Sequence, residues 1–192
     1  MAFQYDPWIQ EEVTRVLRGM FPSSFALAPA TEREDFGGID MRYMVGETNC
    51  PLQVRCRRDR PAGSEDCDIT LRHTEPSMIT AHTYAPFMAF FWFVNHHIIA
   101  GRLIDVYRMA DHLDPPLDDR DCIANFDGRT GFVCVTIPEL CQVQALLRIY
   151  DGTHWATSVH RGDERIHEIM KQYRPPPPPP FGAGGAGLGI GR

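Results

Sequence analysis

The sequence predicts a mixed α/β domain built on a single central sheet. Three observations carry that expectation: an amphipathic helix at Trp8–Met20, alternating strands at Gly38–Val45 and Leu52–Arg58, and a long apolar run at Phe87–Val94. Helix-forming and strand-forming segments are interleaved along the chain, which favours one α/β core over separate all-α and all-β units.

Asp6-Pro7 opens the first helix, because Asp caps free amides and Pro suits the first helical position. Trp8, Ile9, Val13, Val16, Leu17 and Met20 recur at helical spacing, with Gln10, Glu11, Thr14, Arg15 and Arg18 on the other face. Gly19 and Pro22 mark its end, and a loop through Pro29 follows. In Gly38–Val45, Ile39, Met41, Tyr43 and Val45 alternate with Asp40, Arg42 and Met44. Leu52, Val54 and Cys56 form one face of the next strand and Gln53, Arg55 and Arg57 the other, with a turn at Gly46–Asn49 between the strands. Asp68–Arg72 is expected as a third strand, Ser77–Tyr84 as a short helix, and Phe87–Val94 and Ile98–Met109 as two strands joined around Asn95-His96-His97. The second of these could turn helical near Ala110. A strand at Gly131–Ile137 precedes a helix introduced by Pro138, with Leu140, Val143, Ala145, Leu146 and Ile149 on its apolar face. A last helix is expected around Asp163–Gln172.

With 192 residues and 43% hydrophobic content, the chain is long enough for one well-buried domain, assigned to residues 1–174. Residues 175–192 form a proline- and glycine-rich tail: six prolines, Pro175–Pro180, read as an extended polyproline segment, and Phe181–Arg192 is Gly/Ala-rich and cannot bury a core. The tail is either a tether or a docking segment for a protein partner. The sequence contains no apolar stretch of membrane-spanning length and no signal-peptide pattern, so a cytoplasmic, host-cell-interior location is expected, without secretion or membrane insertion.

The net charge of −6 argues against non-specific coating of nucleic acid but permits a local basic groove. Of the 19 basic residues, Lys171 alone is Lys, so positive charge in the domain is carried by the planar, permanently ionised guanidinium, suited to phosphate or carboxylate. None of the six cysteines forms a C-x-x-C pair, and several sit in apolar runs, as expected of free thiols in a reduced compartment. His96 and His97 are adjacent and therefore point apart, which argues against a shared metal. No phosphate-binding glycine loop occurs, and Asp151-Gly152-Thr153-His154 with His160 has no spacing recognisable as a nucleophile–base pair. The run Phe90-Phe91-Trp92-Phe93 reads as core in a strand covered on both faces, with base stacking as the alternative.

The informative constellation is Asp35-Phe36-Gly37-Gly38-Ile39-Asp40 followed by Leu52-Gln53-Val54-Arg55-Cys56-Arg57-Arg58. If the hairpin sets Asp40 beside the face bearing Gln53 and Arg55, oxygen donors and a cation converge, as divalent-metal phosphodiester cleavage requires. This layout resembles the PD-(D/E)XK, or restriction-endonuclease-like, superfamily, and more narrowly a group of small phage-encoded proteins of that fold. The resemblance spans about Tyr5–Tyr150 and includes Asp68-Ile69-Thr70-Leu71-Arg72 and Asn125-Phe126-Asp127-Gly128…Gly131-Phe132. It implies a restriction-endonuclease-like mixed central sheet flanked by helices. It further implies a site in which Asp40, Gln53 and Arg55 are catalytic, Asp40 and Gln53 hold Mg²⁺, and Glu12 is an auxiliary ligand.

The chain departs from the family pattern where active members carry Lys, here Arg55, and where most carry Asp or Glu, here Gln53. Arg clamps phosphate but transfers protons poorly, and an amide oxygen brings less charge to a metal than a carboxylate. Three expectations follow: a DNA-binding, Mg²⁺-dependent phage-type nuclease; an inactive module that binds nucleic acid or a host protein; and a phage assembly protein docking through its tail. In the first two, Arg57, Arg58, Arg60 and Arg72 supply a basic strip along the nucleic-acid backbone. The bland reading of the same residues is a solvated or ion-paired strand face.

Overall fold

The computed structural model describes residues 7–20, 27–30, 39–45, 48–58, 69–72, 85–121, 123–124, 131–157 and 168–171. Helix α1 (Pro7–Arg18) forms as its spacing dictates, burying Ile9, Val13, Val16 and Leu17. In its C-terminal turn, the Val16 carbonyl accepts both the Gly19 amide at 3.1 Å and the indole Nε1 of Trp155 at 2.8 Å.

Ten strands follow among the described residues: β1 (Leu27–Pro29), β2 (Met41–Val45), β3 (Thr48–Arg58), β4 (Ile69–Arg72), β5 (Phe87–Val94), β6 (His97–Asp105), β7 (Ile123–Ala124), β8 (Gly131–Val135), β9 (Leu146–Tyr150) and β10 (Trp155–Thr157). They build two sheets among the described residues, where the sequence had suggested one. The larger is seven-stranded, in the order β1-β2-β3-β5-β6-β9-β10; the smaller is β4-β8-β7. Every neighbouring pair of the large sheet is antiparallel except β3 and β5. A parallel pair needs a long crossover. Here that crossover carries β4 out of the plane, where it pairs with β8 instead of extending the central sheet.

Alternation along β5 divides the molecule into layers. Phe87, Ala89, Phe91 and Phe93 face α1 together with Cys50, Leu52 and Val54 of β3. Met88, Phe90 and Trp92 face the opposite way, into a second core with Ile69 of β4 and Val133 and Val135 of β8. The aromatic run is thus core on both sides, as its continuous apolarity requires, and its rings are closed to nucleobases.

Helix α2 (Val106–His112) and helix α3 (Ile137–Gln142) complete the second layer. The second hairpin strand therefore ends at Asp105, whose side chain caps α2 by accepting the Arg108 amide at 3.1 Å. The helix after Pro138 is also shorter than expected. It begins in a capping box, with Thr136 and Glu139 bonded reciprocally, and stops by Val143; Leu146–Tyr150 is strand β9. Strands β1 and β10 lie where a loop and a helix-bearing segment were expected. The expected helix at Asp163–Gln172 is represented by helical residues 168–171. The Ser77–Tyr84 helix, the Asp6 cap, the Gly46-Glu47 part of the turn, the Asn125–Gly128 turn and the tail lie outside the described residues.

Candidate nucleic-acid interface

The β2–β3 hairpin decides how the predicted residues meet. Its ladder runs from Val45↔Thr48 to Met41↔Leu52. Asp40, the next residue back, departs from the plain ladder: its amide donates to the Leu52 carbonyl at 3.0 Å, and its Oδ2 accepts the Val54 amide at 2.7 Å. A backbone N–H that runs past the end of its partner strand needs another acceptor, and a carboxylate makes a short, charge-assisted one. Asp40 therefore pins β3 at the residue lying between Gln53 and Arg55. The sequence expectation placed Asp40 beside that pair; it did not anticipate that one carboxylate oxygen serves the backbone.

Gln53, Arg55 and Arg57 share one face of β3, as their spacing predicts, in register with Met88, Phe90 and Trp92 of β5. Those three β5 side chains are buried, whereas Gln53 and Arg55 are half-buried and Arg57 is exposed. The result is a polar strip along the margin of the second core. Partial burial of its head group draws the Arg57 guanidinium pKa below its ordinary value, partly offset by the nearby Cys134 of β8. Behind the strip, Cys56 belongs to the α1-facing core; burial, with Asp40 close by, pushes its thiol up to about 12. The four described cysteines, Cys50, Cys56, Cys134 and Cys141, are in no disulfide with one another.

Glu12 does not join this group. Its carboxylate accepts Arg15 Nε and Nη2, both at 2.7 Å, and the Ile98 amide at 3.0 Å, with His97 Nδ1 at 3.8 Å. Ile98 pairs with Phe93, whereas Val54 pairs with Ala89, so Glu12 and Asp40 bond roughly 13 Å apart along the strand direction and two strands across. The Arg15 bond, helped by Ile98 and opposed by burial, holds the Glu12 carboxyl below the usual range. Glu12 is a helix-to-hairpin clamp, and its expected role as auxiliary ligand to a metal at Asp40 is corrected accordingly. The backbones of Arg58 and Arg72 lie in β3 and β4, against Phe93 and Phe132; Arg60 is outside the described residues.

Among the described residues no group of three His, Cys, Asp or Glu side chains is placed to hold a metal ion. Asp40 and Gln53 are the oxygen donors at this locus that the resemblance implicates. Such a pair fits Mg²⁺ only where the ion keeps its waters and borrows oxygens from a bound phosphate, as Mg²⁺ ordinarily does. His96 and His97, expected to point apart, both reach α1, the one stacking on Trp8 and the other lying toward Glu12 one turn further along. Thr153 and His154 do meet, Oγ1 to Nδ1 at 2.8 Å, but within a turn organised by Asp151 Oδ1, which accepts both their amides and the Thr153 hydroxyl. No described helix is long and apolar enough to cross a membrane. Compared with known proteins, the chain matches no family model, no curated protein and no solved structure.

Proposed function

We propose that this chain is a DNA-binding protein whose contact surface is the Gln53–Arg55–Arg57 face of β3. The observation that carries the reading is the shared face: three side chains able to donate hydrogen bonds, two of them cationic, follow one strand at a spacing suited to successive phosphates. Guanidinium groups on a rigid strand lose little freedom on gripping a phosphate, which compensates for the unfavourable net charge of −6.

Anisotropy titrations across a salt series test it. Affinity is expected to fall steeply with salt, and Arg55→Gln to weaken binding uniformly across sequences while lowering the log–log salt slope by about one. An unaltered slope and affinity in Arg55→Gln would remove this face from the interface.

One observation favours a second reading, phosphodiester cleavage: the Asp40 carboxylate is anchored at Val54, between Gln53 and Arg55. In that reading Asp40 and Gln53 hold a Mg²⁺ whose Lewis acidity polarises the phosphate, and Arg55 orients the same phosphate. Plasmid nicking that requires Mg²⁺ and disappears in both Asp40→Asn and Gln53→Ala supports cleavage. Tight DNA binding with no nicking leaves the binding reading alone.

A further inference from the structure

The β5–β6 hairpin closes in a two-residue loop, since Val94 pairs with His97 and leaves Asn95 and His96 at the tip. Both loop residues have left-handed backbones, with φ of 45° and 67°. Asn tolerates that conformation, and in such loops the second position is ordinarily Gly. His96 therefore keeps an exposed ring where the backbone disfavours any side chain.

The ring has a definite place. It stacks on Trp8 with centroids 4.4 Å apart and planes at 25°. Trp8 in turn meets Phe93 edge-on at 5.1 Å, and Phe93 belongs to the α1-facing core. The Glu12 clamp on Ile98 fixes the same hairpin to α1 from one turn further along the helix. An exposed imidazole is thus backed by an indole, which is backed by the core.

The position matters as much as the stack. Trp92 and Phe93 pair with Arg57 and Arg58, so the hairpin tip stands at the end of the sheet where the arginine-bearing strand finishes, with Trp8 on the α1-facing side and the Gln53–Arg55–Arg57 face on the other. We propose that the His96–Trp8 stack is a base-stacking platform for single-stranded DNA, reached by a strand that leaves its phosphate contacts on β3 and turns over this end of the sheet to the α1-facing side. This inference rests on the DNA-binding reading and adds the form of DNA. A duplex hides its base faces in the helix, whereas an unpaired base can lay its face on a solvent-facing ring with little regard to sequence.

The test measures binding of labelled oligo-deoxythymidine and of a duplex of equal length to the full chain, to His96→Gly and to Arg55→Gln. Glycine suits the left-handed φ, so His96→Gly removes the ring while keeping the turn, and its thermal midpoint is expected to match or exceed that of the parent. Its affinity for oligo-deoxythymidine is expected to fall about tenfold, with duplex binding unchanged. Unchanged oligo-deoxythymidine affinity in His96→Gly overturns the platform, even where Arg55→Gln weakens both ligands and upholds the β3 interface. Failure of the parent chain to bind either ligand at low salt overturns both readings.

Discussion

Removing the Asp40 carboxylate separates the structural duty of this residue from any chemical one. In Asp40→Ala the Val54 amide loses a 2.7 Å acceptor in a part-buried position, beyond the end of the β2–β3 ladder. A hydrogen bond to a charged group contributes about 1.5–3 kcal/mol net, so a loss of about 2 kcal/mol is expected. Asp40→Asn keeps an oxygen at nearly the same place without the charge, and about 1 kcal/mol should go. With a urea slope of about 2 kcal/mol per molar, the two variants should unfold about 1 M and about 0.5 M earlier than the parent. Nicking and binding assays are then run well below both midpoints. There Asp40→Asn is folded, and any effect on DNA reports on the carboxylate itself. A urea midpoint for Asp40→Ala equal to that of the parent would refute the strand-pinning role. It would also return Asp40 to the position of an ordinary edge carboxylate.

Gly101→Ala places a methyl carbon 2.6 and 2.8 Å from two ring carbons of Phe91 and 3.3 Å from Tyr150 Cβ, so overpacking should cost about 1–3 kcal/mol in a urea melt, and Phe91→Leu in the same chain should restore part of it. The carboxyls of Glu12 and Glu139 both titrate below the usual 4.5, Glu12 chiefly through Arg15, and Glu139 through Arg120 and Thr136 against the opposing effect of burial. A depressed folded-state pKa gives stability that is full above the unfolded value and lost as pH falls through the folded one. The urea midpoint should therefore drop on acidification below about pH 4.5, less steeply in Glu12→Gln. Arg120→Ala removes the 2.7 Å pair with Glu139 and the bonds to the Cys134 and Pro115 carbonyls, and should destabilise by about 2 kcal/mol on denaturant titration. Brief alkylation near neutral pH followed by mass spectrometry should label the exposed Cys141 and spare Cys56, whose thiol is pushed up to about 12.

Residues whose neighbours are close in sequence were the ones the sequence made legible. Helix α1, the faces of β3 and the core character of Phe87–Val94 follow from periodicity alone, because local geometry decides which side each residue occupies. The single-sheet expectation failed where a long-range choice intervened. Strand β4 alternates like any edge strand, and nothing local states that its partner is β8, more than fifty residues further on. Leu146–Tyr150 was misread for a related reason: an apolar segment of five residues fits a helix continuation or a buried strand equally well. Opposite Leu103 and Ile104 the register then shifts, with Leu147 the extra residue on β9, and this irregularity sets how β9 docks.

The same contrast explains why the candidate site was half legible. Gln53 and Arg55 share a face by alternation, a local property, and the hairpin brings the Asp40 carboxylate to the Val54 amide between them. Glu12 was added by analogy, and no short-range rule connects a helix residue to a particular level of the sheet. Besides Arg15 one turn on, its partners are Ile98 and His97, more than eighty residues away at the hairpin tip. That tip therefore receives support from two residues of α1: the Glu12 bond, and Trp8 through its contact with Phe93 and its stack on His96. A two-residue turn needs no such bracing to close, and with Gly in place of His96 it would close more easily. The bracing makes physical sense if the ring it immobilises must meet something from solvent without first losing the freedom of an exposed loop, since a surface ordered in advance binds with less entropic cost.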